Sequence, residues 1–200
     1  MPAVRLLLAS SNPGKLEELR ELAGGTGIML DPLPDYSALP AFDESAPTFA
    51  ENAAGKAMYY SRGTRELVLA DDSGLAVPAL GGAPGARSSR YAGQEGDAKK
   101  NMRKLLSGMA DRTGEARKAR FVCVLALAQA GRVVAVFSDS VGGVILESPR
   151  GSGGFGYDPV FLYEPLGKTF AELPRAEKNR LSHRGRAFAK LVAYLVNPPE

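Results

Sequence analysis

The sequence contains no tryptophan, one cysteine and one histidine in 200 residues. The lone Cys123 excludes an intrachain disulfide framework and a thiolate-rich zinc site, and it fits a reducing compartment. The lone His183 excludes a histidine-rich metal centre. Any metal is therefore expected on oxygen ligands, which points to Mg²⁺, Mn²⁺ or Ca²⁺. No apolar run approaches the roughly 20 residues that span a bilayer. The short apolar run ending at Ala9 lacks the length and cleavage pattern of a secretory signal, and Asn197-Pro198-Pro199-Glu200 carries no lipidation motif. A cytoplasmic protein without a membrane partner is expected. The charge excess is also small. A net charge of +3 is too weak to mark a nucleic-acid footprint, so no stable nucleic-acid partner is expected.

What is present is ordinary for a globular chain: 44% hydrophobic and 24% charged residues. At about 100–200 residues per domain, a single domain over residues 1–200 is expected. A chain of this length buries on the order of 70% of its unfolded surface and needs no staples.

Val4–Ala9 reads as a buried strand that stops at Ser10-Ser11-Asn12-Pro13-Gly14-Lys15. Leu16, Leu19, Leu22 and Ala23 then recur at helical spacing, with Asn12 as N-cap, Pro13 as first helical residue and Gly24-Gly25 as stop. Pro32, Pro34, Pro40 and Pro47 mark an irregular stretch. Thr48-Phe49-Ala50-Glu51 is a capping box that opens a helix to about Arg62. Leu67–Ala70 reads as a short strand with Asp71-Asp72-Ser73-Gly74 at its carboxyl end, and Asp97 to about Ala110 as a helix. Phe121–Ala128 is apolar on both faces and reads as a central strand. Ala130-Gly131 turns the chain, and Val133–Phe137 returns antiparallel. Val160–Tyr163 is a further strand, and Ser182 caps a last helix bearing Phe188, Leu191, Val192 and Leu195 on one face. Helices alternating with strands, with one hairpin, predict an α/β fold with a mixed sheet.

Two nucleotide-binding signatures fail, one on spacing and one on its context. The three Gly-Lys pairs at 14–15, 55–56 and 167–168 have no glycine at the required upstream position, and only Lys168 is followed by threonine. Gly151-Ser152-Gly153-Gly154-Phe155-Gly156 matches GxGxxG but opens no helix.

Five constellations remain, and each also fits a plain structural role. Ser10 to Lys15 offers free amides at a helix N-terminus, side-chain donors and a full positive charge, which suits an anion; it also reads as an ordinary N-cap with a surface lysine. Asp71-Asp72 at a strand end pairs two carboxylates whose repulsion a cation would relieve, or forms a solvated turn. Asp43-Glu44 is a second acidic pair. Lys56 interrupts the apolar stripe Phe49, Ala53, Tyr60, either reaching an anion or snorkelling at the stripe's edge. Phe155-Gly156-Tyr157-Asp158 would bring rings and close backbone to a base, or pack into the core after a turn. Lys178 with Ser182-His183-Arg184 places cations where a helix dipole disfavours them, which an anionic or carbonyl-rich ligand would explain. Together these describe a phosphate loop, an oxygen-ligated metal, several cations and an aromatic platform, a set that fits a nucleoside triphosphate.

At these residues the chain resembles the inosine triphosphate pyrophosphatase family, which clears non-standard purine nucleotides. The likeness runs from Leu6 to about Leu195, through Ala9–Lys15, Phe49–Ala57, Ala70–Leu75, Leu80–Gly85, Gly153–Pro159, and Glu177-Lys178 with Leu181–Gly185. Ser10-Ser11 stands where the family often has Thr-Gly, keeping the hydroxyl and losing the glycine. The resemblance implies an elongated mixed-sheet fold of two lobes with a cleft between them, and a homodimer. It implies that Ser10, Ser11, Asn12, Pro13, Gly14 and Lys15 hold the triphosphate and that Lys56 adds charge neutralisation. Asp72 would be general base and Mg²⁺ ligand, with Asp71 beside it and Glu44 as a further metal carboxylate. Ser73, Phe155, Gly156, Tyr157, Asp158, Lys178, His183 and Arg184 would contact the nucleotide. ITP, dITP and XTP would then be cleaved to the monophosphate and pyrophosphate. Their C6 carbonyl would meet donors such as Arg184, whereas adenine's amino group would leave those donors unpaired. A related pyrophosphatase acting on modified pyrimidines, and a non-catalytic nucleotide- or RNA-binding module, are the alternatives.

Overall fold

A computed structural model of the chain describes residues 4–93 and 96–196. Seven strands are present among them: β1 (Val4–Leu8), β2 (Ile28–Pro32), β3 (Leu67–Ala76), β4 (Lys118–Gln129), β5 (Arg132–Ile145), β6 (Phe161–Tyr163) and β7 (Lys168–Thr169). Five α-helices accompany them: α1 (Pro13–Ala23), α2 (Phe49–Ser61), α3 (Ala98–Gly108), α4 (Arg175–Leu181) and α5 (His183–Val196). The sheet order is β2-β1-β3-β4-β5-β6-β7. β1 runs parallel to β2 and β3, while β6 is antiparallel to β5 and β7, so the sheet is mixed, as expected. No helix of the described residues is long and apolar enough to cross a membrane.

The chain divides into two compact units. One takes the described residues up to Asp72, Cys123–Asp139 and those from His183 onward; the other takes Ser73–Val122 and Ser140–Ser182. In the first unit the period of two along the strands sorts side chains onto two faces. Leu6, Leu8, Leu69, Cys123, Leu125 and Leu127 pack with Leu19 of α1 and Phe188 and Leu191 of α5. The alternate residues Leu7, Ala9, Val68, Ala70, Val124, Ala126 and Ala128 pack with Ala53, Ala57 and Tyr60 of α2. Burial on both faces explains why these strands read as continuous apolar runs. The second unit has its own core, in which the rings of Phe121, Phe161 and Phe170 lie within 5.8 Å of one another and Leu105 and Met109 lie buried beside them.

Local chemistry sets the element ends. Asn12 caps α1 by accepting the Lys15 amide at 3.1 Å, and Pro13 is the first helical residue. Thr48 caps α2 by accepting the Glu51 amide, while its hydroxyl donates to the Glu51 carboxylate at 2.6 Å. Ala130 and Gly131 both have positive φ, 50° and 79°, the geometry of a two-residue hairpin turn.

Three boundaries differ from the sequence reading. β3 runs to Ala76, so Asp71 and Asp72 lie inside a strand and not at its carboxyl end. β5 runs to Ile145, well past Phe137, because small and polar residues continue the pairing. β2 occupies part of the proline-rich stretch. It pairs with β1 on one side and ends at Pro32, a place where a missing amide costs no ladder bond.

Candidate active site

Because β3 continues through 71 and 72, these adjacent carboxylates point to opposite faces of the sheet. Their repulsion is not the organising force. Asp71 falls on the face of α1 and α5 and is fully buried. Its Oδ1 accepts Lys15 Nζ at 2.5 Å; its Oδ2 accepts Arg184 Nε at 2.9 Å and the Cys123 thiol at 3.4 Å. Arg184 also pairs with Glu18, and both are buried. Burial works against both cations, but the carboxylates outweigh it and hold Lys15 and Arg184 above their usual values. The Cys123 thiol is pushed well up by burial and by Asp71 beside it, so it stays a neutral donor.

Asp72 falls on the α2 face and is 5% exposed. Its Oδ2 is buried with no hydrogen-bond partner among the described residues. Burial raises its pKa from 3.8 to about 6, against the pull of Lys15 and Lys56 and with a further push from Glu44, while a hydrogen bond from Asn52 favours the ionised form. Lys56 is buried on α2 and donates to Glu44 Oε1 at 2.6 Å. It also donates to the main-chain carbonyl of Asp71 at 2.9 Å, and Lys15 Nζ reaches the same oxygen at 3.3 Å. Two ammonium groups thus converge on one carbonyl oxygen, beside a carboxylate oxygen without a partner. Each ammonium already has a carboxylate partner, Lys15 in Asp71 and Lys56 in Glu44, and each keeps further N–H donors of a kind that charge-assisted bonds to a phosphate use.

The phosphate-loop candidates adjoin them in the same unit. Ser10 Oγ accepts the Asn12 amide at 3.2 Å, and α1 begins at Pro13, so its N-terminus opens at the end of β1. Ser11 and Pro13 are exposed; Ser10, Asn12, Gly14 and Lys15 are partly exposed. His183 begins α5 and is buried.

The remaining candidates fall in the second unit. Asp158 is buried and pairs with the buried Lys178, and its Oδ2 also accepts the Phe155 amide at 2.8 Å. Lys178 Nζ lies 5.0 Å from the Phe155 ring centroid. A side chain at Gly154 would sit 2.1 Å from Asp158 Oδ2, at φ +67°, so this turn requires glycine. Gly156 also turns at positive φ. Tyr157 departs from the platform reading: its ring is 5% exposed within the core, and its hydroxyl donates to the Ser88 carbonyl at 2.9 Å. Ser73 lies on β3 and is partly exposed, and Ser182 is buried, its amide donating to the Lys178 carbonyl at 2.8 Å.

Arg184 departs as well. The sequence offered it as a donor to a base, but its guanidinium is engaged by Asp71 and Glu18. Sequence reasoning passed over Glu18 and Asn52. Glu18 stands one turn after Lys15 on α1, and Asn52 one turn before Lys56 on the buried stripe of α2; that spacing was the available signal.

Among the described residues no three His, Cys, Asp or Glu side chains group to hold a metal. A divalent cation still fits here. The Asp72 oxygen lacks a partner, Glu44 is close enough to oppose its ionisation, and a hard ion needs only one or two carboxylates when substrate phosphates complete its shell.

Residues 6–194 match the Ham1 family. The chain belongs to that family. It is 50% identical over 188 residues to a dITP/XTP pyrophosphatase of Gloeobacter violaceus, covering 94% of this chain and 92% of the relative. It is 50% identical over 197 residues to a dITP/XTP pyrophosphatase of Thermus thermophilus, covering 98% and 94%. The solved structure of a HAM1 protein from Coxiella burnetii superposes with a TM-score of 0.86 at 39% identity, covering 96% of this chain and 98% of that one. The family resemblance seen in the motifs is borne out.

Proposed function

We propose that this protein is a nucleoside-triphosphate pyrophosphatase that hydrolyses non-canonical purine nucleotides, namely ITP, dITP and XTP, to the monophosphate and pyrophosphate. The observation that carries the proposal is the convergence of Lys15 and Lys56 on the Asp71 carbonyl, beside the bare Asp72 oxygen. Family membership and relatives named dITP/XTP pyrophosphatases support the same reading.

Lys15 and Lys56 neutralise the triphosphate, and their fixed charges stabilise the charge that develops on the leaving pyrophosphate. Ser10, Ser11, Asn12, Pro13 and Gly14 present hydroxyls and helix N-terminal amides to the same phosphates. Asp72, ionised above about pH 6, holds a water and takes its proton as oxygen attacks the α-phosphorus. The bond from that phosphorus to the bridging oxygen breaks, and pyrophosphate departs with the electron pair. Asp72 and Glu44 would hold Mg²⁺, which when bound supplies charge neutralisation and orientation at the phosphate oxygens. Asp71 works through Lys15 and Arg184. By the family resemblance, Lys178, Phe155, Gly156, Asp158, Ser73 and His183 would contact the nucleoside. Tyr157 supports that loop from the core of its unit, and Arg184 acts by holding Asp71 and Glu18. Donors there accept a C6 carbonyl and reject adenine's amino group. The proposal extends to a cytoplasmic homodimer.

Pyrophosphate release from ITP, dITP, XTP and ATP, with and without Mg²⁺, tests it. Release should require Mg²⁺, and kcat/KM should be far higher for the first three than for ATP. Tight ITP binding without release would overturn the enzyme reading; equal rates on ATP would overturn the base reading. Light scattering on the eluted protein tests the dimer.

A further inference from the structure

β1 lies beside Leu67–Leu69 of β3. Farther along the strand, the Leu75 amide donates to Ser88 Oγ at 2.9 Å. Ser88 sits in the short 3₁₀ helix Gly85–Arg90 and is buried. Its hydroxyl in turn donates to the Gly85 carbonyl at 2.7 Å. Gly74 permits this close approach, because a side-chain carbon there would come within 2.2 Å of Ser88 Oγ. The chain just before the 3₁₀ helix is fastened to β3 as well, the Val77 amide donating to the Ala83 carbonyl at 3.1 Å.

The main-chain carbonyl of the same residue accepts the Tyr157 hydroxyl at 2.9 Å, a buried bond. Tyr157 stands between Gly156 and Asp158 in the loop that carries Phe155. Asp158 secures that loop internally, through the Phe155 amide, and Tyr157 ties it outward to Ser88. All of these residues belong to the second unit, as does Ser73, two positions before Leu75 on β3. A phenylalanine at 157 would fill the same core space, and a buried hydroxyl costs stability unless it is bonded. The Tyr157 bond therefore adds direction, not burial. One residue thus joins two segments, with its hydroxyl on β3 and its carbonyl on the loop.

We propose that Ser88 is a positioning residue for base recognition, which fixes the Phe155 loop against the part of β3 that carries Ser73. The inference rests on the reading that this loop and Ser73 contact the nucleoside. Ser88 acts through Leu75 and Tyr157 and touches no substrate itself. A loop held in one place aligns its donors with a C6 carbonyl and leaves them unpaired against adenine's amino group. A loop released from Ser88 adapts to either base, so the loss falls on discrimination and not on the reaction at phosphorus.

The test uses the full chain and three readouts: kcat and KM for ITP, the ratio of kcat/KM for ITP to that for ATP, and inhibition by pyrophosphate, which has no base. Ser88→Ala should raise the KM for ITP about three- to tenfold, with kcat within about threefold of the parent. The ITP-to-ATP ratio should fall by a similar factor, while the pyrophosphate inhibition constant stays within about twofold. Tyr157→Phe should reproduce the fall in the ratio, and it carries the test if Ser88→Ala does not fold. The double variant should be no worse than the more damaged single one, because both changes break the same link. A lower melting temperature with an unchanged ratio would overturn the inference, and so would additive losses in the double variant. Equal weakening of ITP and pyrophosphate would overturn it too, as the mark of general damage. Phe155→Ala separates the two readings. If it lowers the ratio and the Ser88 and Tyr157 variants do not, the positioning role alone falls. If it too leaves the ratio intact, the reading of that loop as a base contact falls with it.

Discussion

Asp72 and Asp71 are neighbours in sequence with opposite energetics. Burial raises the Asp72 pKa from 3.8 to about 6, so the native protein holds that proton more tightly than the unfolded chain. The stability this provides is fully present below pH 3.8 and is lost as the pH rises through about 6. At pH 7.5 and without metal, keeping Asp72 ionised costs on the order of 2–3 kcal/mol. Asp72→Asn, permanently neutral, should therefore melt higher than the parent at pH 7.5, with the two converging near pH 4, while its kcat falls by about 10²–10⁴. Asp71→Asn should do the reverse to stability. It removes the carboxylate shared by Lys15 and the buried Arg184, at a cost of about 3–5 kcal/mol in urea unfolding. Destabilisation of similar size in both variants would contradict this division. The sequence displayed the acidic pair but not its division. Reading a strand that ended at Ala70 placed both carboxylates on one turn, whereas a strand that continues must send them to different faces. Arg184 was legible as a cation out of place at a helix start, yet its partner Glu18 stands far away in the chain, and only folding brings them together.

At the scale of elements, α2 is the organiser. Its buried stripe carries Asn52, Lys56 and Tyr60 at intervals of one turn, and all three point at the segment 40–47 or at β3. Gly55 belongs to the same helix. In an exposed helix interior Gly→Ala stabilises by about 1 kcal/mol. Here an added methyl would meet the Phe42 ring at 2.6 Å, so the ring must move and carry its segment with it. Gly55→Ala should thus fail to raise the melting temperature and should speed proteolytic cleavage within residues 40–47. A simple gain in stability would show that Phe42 yields freely. The helix itself was plain in sequence from its capping box and stripe, as were α1, α3, β1 and the β4–β5 hairpin. β2 and the holding of residues 40–47 were not, because prolines hid the strand and side-chain latches leave no period to read.

For the whole molecule, the net charge of +3 understates the local arrangement, in which most site cations are balanced by carboxylates, buried ones at Asp71 and Asp158 and a partly exposed one at Glu44. Lys15 and Lys56 retain the capacity to meet a polyanion. Mg²⁺ with pyrophosphate at about 100 times its dissociation constant should stabilise the fold by ~2.7 kcal/mol, a rise of about 5–10 °C in melting temperature. Lys15→Ala should lose most of that rise, as read by differential scanning fluorimetry; an undiminished shift would place the anion elsewhere. The buried pair of Glu18 and Arg184 has a further consequence, for synthesis. The two residues are 166 positions apart, a stretch that takes roughly ten to thirty seconds to translate. Throughout that interval the nascent chain holds Glu18, and later Asp71, without the cation that completes their burial. The first unit cannot close until α5 has left the ribosome, and a chain arrested before His183 would expose unfinished carboxylates for a chaperone or protease to find.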